Sequence, residues 1–348
     1  MKRLRVLVVE DSLTVRKHLC EILARDPGIE VAGEAEDGRQ AIELCQSLRP
    51  DVITLDMMLP VMSGLAATEY IMAYCPTPIL VVSASVNRGE LFKTYEALSA
   101  GAVEVMDKSR ADDEGDAWER EFVATVRLVA RVKVVTHVRG RHSTRQFAPP
   151  PAILPAAHGT RYRLLALGAS TGGPGALVEV LQALPVDFPL PILIVLHIAE
   201  PFGSAFADWL DGQTAHRVRI ARHGEAVGAR GVSMAPPGSH LMVQGRRLML
   251  DHGPERFSCR PSIDVLFESV ASDYGAGALA VVLTGMGQDG ARGLLAVRSA
   301  GGTTLAQDEA TSIVYGMPRE AALLGAAQHV LPLPDIGPAL VALTRDSS

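Results

Sequence analysis

The chain has 348 residues, 48% hydrophobic and 5% aromatic, with a formal net charge of -6. That length suits two domains, and a net acidic chain is a poor general binder of nucleic acid. Cys20, Cys45, Cys75 and Cys259 have no CxxC spacing, so they read as reduced thiols rather than a zinc ribbon or a disulfide frame.

The basic start Met1-Lys2-Arg3-Leu4-Arg5 meets Glu10-Asp11 too early for a secretory signal. Prolines and charges interrupt every long apolar stretch, so no transmembrane helix is expected and the cytoplasm is the expected location. Arg5 to Val9 reads as a short buried strand, Ser12 as a helix N-cap, and Val15, Leu19, Ile22 and Leu23 recur at helical spacing. Ile29 to Ala35 is the next strand, Arg39 to Leu48 a helix stopped by Pro50, and Val52 to Leu55 a strand ending on Asp56. Pro78 to Val82 and Val103 to Met106 supply two more strands. Continuous apolar strands alternating with helices predict an α/β unit, a parallel sheet with helices on both faces.

In such a sheet Glu10, Asp11, Asp56, Ser83 and Lys108 all fall at the carboxyl edge, where sites form. Three carboxylates at one point repel unless a cation joins them, and oxygen-only ligation favours Mg²⁺. A carboxylate there can take a phosphoryl group as an acyl phosphate, with lysine pairing the new charge and a hydroxyl bonding a phosphoryl oxygen.

Between Glu121 and Glu179 there is no acidic residue. Arg127, Arg131, Lys133, Arg139, Arg141 and Arg145 occupy the first half of that gap, then Pro149-Pro150-Pro151 and Pro155 follow. This reads as a helix with a basic end running into a semi-rigid tether.

The alternation then resumes with strands at Arg163–Leu167, Ile192–Leu196, Val218–Ala221, Leu279–Leu283, Thr303–Ala306 and His329–Leu331. Val232 to Leu250, broken by Pro236-Pro237-Gly238 and Gly245, reads as a pair of antiparallel strands. The first strand opens into Gly168-Ala169-Ser170-Thr171-Gly172-Gly173-Pro174-Gly175, which sets a hydroxyl at the mouth of a strand among peptide N–H groups. His197 and Asp289 follow two other strands. A serine hydroxyl needs a base and an orienting acid, and Ser170, His197 and Asp289 could supply all three, with N–H groups around Thr171 and Met286 holding an oxyanion. His240 is a rival base, and His216, His223 and His252 weaker ones. The glycine-rich turn could instead cradle a phosphate, although it lacks both G-x-G-x-x-G and the Gly-Lys-Ser ending of a P-loop.

Val8-Val9-Glu10-Asp11-Ser12, Leu55-Asp56-Met57-Met58-Leu59-Pro60, Val82-Ser83-Ala84 and Gly101-Ala102 leading to Lys108 resemble the receiver domains of two-component response regulators. The resemblance implies phosphorylation of Asp56 by a histidine kinase. It implies Mg²⁺ held by Glu10, Asp11, Asp56 and the carbonyl of Met58, with Ser83 and Lys108 as switch residues. Ser109 stands where proline is usual and Val105 where an aromatic is frequent, so the signal is expected to leave by a different packing change.

Gly168 to Pro174, His197, Ala235-Pro236-Pro237-Gly238 with His240, Arg260 to Phe267 and Leu283 to Ala291 resemble the catalytic domain of chemotaxis protein-glutamate methylesterases. That resemblance implies a triad of Ser170, His197 and Asp289 with no catalytic cofactor, acting on methyl-accepting chemoreceptors. It implies hydrolysis of glutamate methyl esters and deamidation of glutamines, controlled by phosphorylation. The two resemblances together imply a flavodoxin-like receiver over 1–122, a linker over 123–160, and a Rossmann-like methylesterase domain with an antiparallel hairpin over 161–348. A DNA-binding response regulator fits the tandem of receiver, linker and output domain less well, because the second half is α/β and the chain acidic. An adaptor without chemistry would not need Ser170, His197 and Asp289 together.

Overall fold

The computed structural model describes residues 2–84, 88–108, 116–132, 134, 162–198, 202–228 and 230–345. The chain divides into two compact units, Met1–Gln146 and Phe147–Ser348.

In the first unit β1 (Leu4–Val9), β2 (Ile29–Ala35), β3 (Val52–Leu55), β4 (Ile79–Ser83) and β5 (Glu104–Asp107) form a parallel sheet in the order β2-β1-β3-β4-β5. Val6, Leu7, Val8, Ile53 and Leu55 are fully buried, which is why these strands read as unbroken apolar runs. Ser12, Asp37 and Ser63 accept backbone N–H groups at the starts of helices Leu13–Ala24, Gly38–Leu48 and Gly64–Tyr74. The strand order reverses between β1 and β3, so the residues following these two strands flank a crevice at the carboxyl edge. Helix Asp116–Val129 is anchored by buried Trp118 and Phe122, and Trp118 Nε1 donates to the Asp107 carbonyl at 2.8 Å. Residues 123–129, expected to begin the linker, form the last turns of this helix; 135–160, with the proline-rich tether, lie outside the described residues.

The second unit is built on a seven-stranded parallel sheet. Its strands are β6 (Leu164–Ala169), β7 (Ile192–Leu196), β8 (Val218–Ile220), β9 (Val232–Met234), β12 (Ala278–Val282), β13 (Thr303–Gln307) and β14 (His329–Leu331), in the order β14-β13-β12-β6-β7-β9-β8. β10 (His240–Gln244) and β11 (Arg247–Asp251) pair antiparallel, as a separate hairpin. The sequence reading of Val232 to Leu250 as one antiparallel pair therefore needs correction at its start. Val232-Ser233-Met234 is buried and lies parallel between β7 and β8; Ser233 between two apolar residues gives the apolar–polar alternation of a half-exposed strand although all three side chains are covered. Helix Ile263–Tyr274 lays Leu266, Phe267 and Val270 into the core shared with Leu241 and Val243 of the hairpin. The strand order reverses at β6, flanked by β12 and β7, so residues 170, 197 and 283–290 leave three adjacent strands at one edge.

Candidate functional site

In the second unit the register pairs Ala169 with Leu196, and the His197 N–H donates to the Ala169 carbonyl at 3.0 Å. Ser170 therefore stands beside His197 at the spacing of neighbouring strands, about 4.8 Å. On its other flank the Ser170 N–H donates to the Thr284 carbonyl at 3.0 Å. Gly172, at φ +78°, turns the chain into helix Gly173–Ala183, a conformation that favours glycine.

Asp289 is buried and its carboxylate is fully engaged. His197 Nε2 donates to Oδ2 at 2.9 Å and the Ile263 N–H at 2.7 Å, while Ser262 Oγ donates to Oδ1 at 2.8 Å and the Asp264 N–H at 3.1 Å. The acid thus sits at the N-terminus of helix Ile263–Tyr274, where backbone N–H groups favour an anion. Burial opposes the charge, but the imidazole and these donors outweigh it and hold Asp289 below its ordinary carboxylate range. With Nε2 committed, Nδ1 is the ring nitrogen left for proton transfer. It lies 3.7 Å from the Cys259 thiol. Burial pulls the His197 pKa down, yet Asp289 and Cys259 together push it up to about 9.

Gly285 marks the closest approach in the site: a Cβ there would fall 2.6 Å from both Ser170 Cβ and Met317 Cε. Gly285→Ala is expected to displace Ser170 and lower turnover by about 100-fold in a folded protein; circular dichroism with a turnover assay checks this, and unchanged turnover would contradict it.

At the other edge site, Lys108 Nζ reaches Glu10 Oε2 and Asp56 Oδ2, each at 3.0 Å. Burial, then Asp56, raises the Glu10 pKa despite Lys108, and Asp56 and Glu10 hold Lys108 above its ordinary value although burial opposes its charge. One carboxylate oxygen from each of Glu10, Asp11 and Asp56 lies within 4.8 Å of the others. Ser83 Oγ is buried with no hydrogen-bond partner, which is costly unless something else bonds it.

A family model described as CheB methylesterase matches residues 165–340, and one described as response regulator receiver domain matches residues 6–117. The chain belongs to the CheB methylesterase family. It is 44% identical to the protein-glutamate methylesterase/protein-glutamine glutaminase 2 of Anaeromyxobacter dehalogenans, over 98% of this chain and 97% of that protein. It is 43% identical to protein 4 of the same description from Myxococcus xanthus, over 99% and 98%. The crystal structure of the Thermotoga maritima CheB methylesterase catalytic domain is 35% identical, with a TM-score of 0.50, covering 52% of this chain and 98% of that one.

In the methylesterase unit Ser170, His197 and Asp289 come to one place, with Thr171 buried beside the serine and Met286 51% exposed at the rim. Three of the four rival histidines are engaged elsewhere, and the fourth lies elsewhere in the fold. His240 accepts the Ser262 N–H at Nδ1 and donates from Nε2 to the Pro254 carbonyl, so it braces the turn before helix Ile263–Tyr274, whose N-terminus holds Asp289. His223 accepts the Leu250 N–H and His252 pairs with Ser239. His216 precedes β8, at the opposite edge of the sheet. Sequence reasoning missed Cys259, Ser262 and Gln307. Gln307 Oε1 accepts the Thr284 N–H at 2.8 Å and so fixes the loop beside Ser170. Ser262 lies within the Arg260–Phe267 motif that carries the resemblance and Cys259 stands just before it, but nothing in their spacing ties them to His197.

In the receiver unit Lys108 joins Glu10 and Asp56, Asp11 is exposed beside them, Ser83 is buried at the end of β4, and Met58 is 43% exposed. Val105 is buried in β5; Ser109 and Ala199-Glu200-Pro201 lie outside the described residues.

Proposed function

We propose that this chain hydrolyses glutamate γ-methyl esters on chemoreceptors and deamidates selected receptor glutamines, under control of a phosphoryl group carried by Asp56. The observation that carries this reading is the 2.9 Å contact between His197 and Asp289, made one strand away from Ser170. Ser170 Oγ attacks the ester carbonyl as His197 Nδ1 takes its proton. The tetrahedral intermediate collapses, the methoxy oxygen receives that proton, and methanol leaves. Water then repeats the cycle and frees the carboxylate; with a glutamine side chain, ammonia leaves instead. Asp289 fixes the tautomer and offsets the imidazolium charge, and backbone donors at Thr171 and Met286 receive the oxyanion.

The first site fits Mg²⁺: its donors are oxygens only, carboxylates gathered at one point. Glu10, Asp11 and Asp56 would hold the ion, with the Met58 carbonyl. When bound it supplies positive charge against the phosphoryl oxygens. Asp56 Oδ takes the phosphoryl group from a histidine kinase, Lys108 then pairs with the new charge, and Ser83 Oγ gains the acceptor it lacks. Residues 1–122 serve as receiver and 161–348 as catalytic domain; helix Asp116–Val129 carries the first unit past 122, so the tether begins after it. The location is cytoplasmic and no nucleic acid partner is called for. No helix among the described residues is long and apolar enough to cross a membrane.

Asp56→Asn is expected to retain the basal rate of methanol release and to lose stimulation by a small phosphodonor. Full stimulation in that variant contradicts the control assigned to Asp56. The acid limb of the rate follows from His197, which must be neutral to accept a proton. With its pKa raised to about 9, activity in chelator rises with pH through a limb well above the 6.5 of free histidine. Cys259→Ala removes one of the two partners that raise it, so the limb moves to lower pH; a limb that stays put contradicts the coupling.

A second reading has one specific observation in its favour. Cys259, His197 and Asp289 are themselves arranged as a thiol, an imidazole and an acid, with Sγ 3.7 Å from Nδ1. If Cys259 is the nucleophile, Ser170→Ala keeps its turnover and Cys259→Ala loses it.

A further inference from the structure

We infer that the methylesterase unit carries an inhibitory Zn²⁺ site formed by Cys259 Sγ and His197 Nδ1, with Asp289 as the carboxylate behind the imidazole. The binding stands on geometry alone; its inhibitory consequence rests on the proposed role of His197 as base.

The two donor atoms are 3.7 Å apart. Tetrahedral Zn²⁺, with bonds of about 2.3 Å to sulfur and about 2.0–2.1 Å to nitrogen, sets such a pair roughly 3.6 Å apart. The site is therefore spaced for the ion with almost no movement. Thiolate with imidazole is the donor pairing that Zn²⁺ takes in preference to Mg²⁺ or Ca²⁺.

The surroundings hold both ligands in place. Nε2 donates to Asp289 Oδ2 at 2.9 Å, which leaves Nδ1 as the metal-facing nitrogen. A carboxylate bonded to the far nitrogen of a ligating histidine is the usual outer support of a zinc site. A donor atom of Asp289 also lies within 4.8 Å of the other two, but its oxygens already accept from Ser262, Ile263 and Asp264, so it serves behind the ring. Cys259 is pinned by two backbone hydrogen bonds with Arg256, at 2.9 and 3.2 Å. Both ligands are only part-buried, so solvent can fill the remaining two positions.

Binding displaces to solvent the thiol proton and, where the imidazole is protonated, the Nδ1 proton as well, and forms one Zn–S and one Zn–N bond with no change of oxidation state. The Nδ1 lone pair, which the esterase step needs for the Ser170 proton, is then occupied. Zn²⁺ switches the enzyme off, and a chelator restores it.

The test uses the full chain stripped with chelator, with Co²⁺ as spectroscopic probe and Zn²⁺ as inhibitor. A thiolate-to-Co²⁺ charge-transfer band is expected in the parent and in Ser170→Ala, and is expected to vanish in Cys259→Ser and in His197→Ala. Zn²⁺ is expected to suppress methanol release reversibly. The concentration needed, measured against each variant's own metal-free rate, rises by at least about tenfold in Cys259→Ser. A Cys259→Ser protein that keeps the parent's band and zinc sensitivity overturns the proposal, and so does a band that persists in His197→Ala. If instead the parent releases no methanol, the esterase reading fails while the Co²⁺ titration still reports the site.

Discussion

Ser170→Ala is expected to lose turnover by roughly 10,000-fold or more while the chain stays folded. Ser170 Oγ is the atom that forms the bond to the substrate, so its removal leaves only the oxyanion donors and binding to act on the ester. The fold should tolerate the change: Ser170 is part-buried at a turn, its backbone N–H still reaches the Thr284 carbonyl, and the Gly173 N–H still reaches its own carbonyl at 2.6 Å. Alanine also leaves the approach of Gly285 to Cβ as it is. Methanol release from methylated receptor membranes reads the effect. Turnover near the parent's in a folded Ser170→Ala would remove serine as the nucleophile and favour Cys259.

The second large effect is at Asp289. Asp289→Asn is expected to lower turnover by about 10,000-fold, because the amide cannot stabilise the imidazolium and no longer fixes the ring tautomer. Unlike Ser170→Ala, it should also cost stability. Four donors converge on the two carboxylate oxygens, from His197, Ile263, Ser262 and Asp264. An amide presents an NH₂ in place of one oxygen, so whichever way it turns it faces one pair of donors. Leaving such buried groups unpaired costs about 1–3 kcal/mol. Denaturant unfolding should show that loss alongside the kinetic one. A variant with parent-like rate and parent-like stability would mean that Asp289 neither orients His197 nor anchors the helix that begins at Ile263.

Much of this arrangement was legible in the sequence because strand ends are legible. Apolar runs ending at Val9, Leu55, Leu167 and Leu196 are short, continuous and flanked by turn formers, and a parallel sheet must bring their carboxyl ends to one edge. Glu10, Asp56 and Lys108 could be grouped on that logic, and so could Ser170, His197 and Asp289. The sequence could not show how segments distant along the chain turn back upon a strand end. Cys259 reaches His197 from 62 residues along the chain. Ser262 and the N–H groups of Ile263 and Asp264 hold Asp289 through a helix start that reads, in the sequence, as an ordinary N-cap before an apolar face. His240 reads as a rival base in the sequence; both its nitrogens are bound to backbone. Val232 to Met234 reads as one arm of a hairpin because buried Ser233, set between two apolar residues, imitates the alternation of a half-exposed strand.

The most direct measurement of the nucleophile's identity is an acid quench of the enzyme during turnover on a methylated receptor peptide, followed by mass spectrometry of its proteolytic fragments. The acyl group should sit on the fragment bearing residue 170, as an oxygen ester. An acyl group found on residue 259 as a thioester, with residue 170 unmodified, would contradict the account.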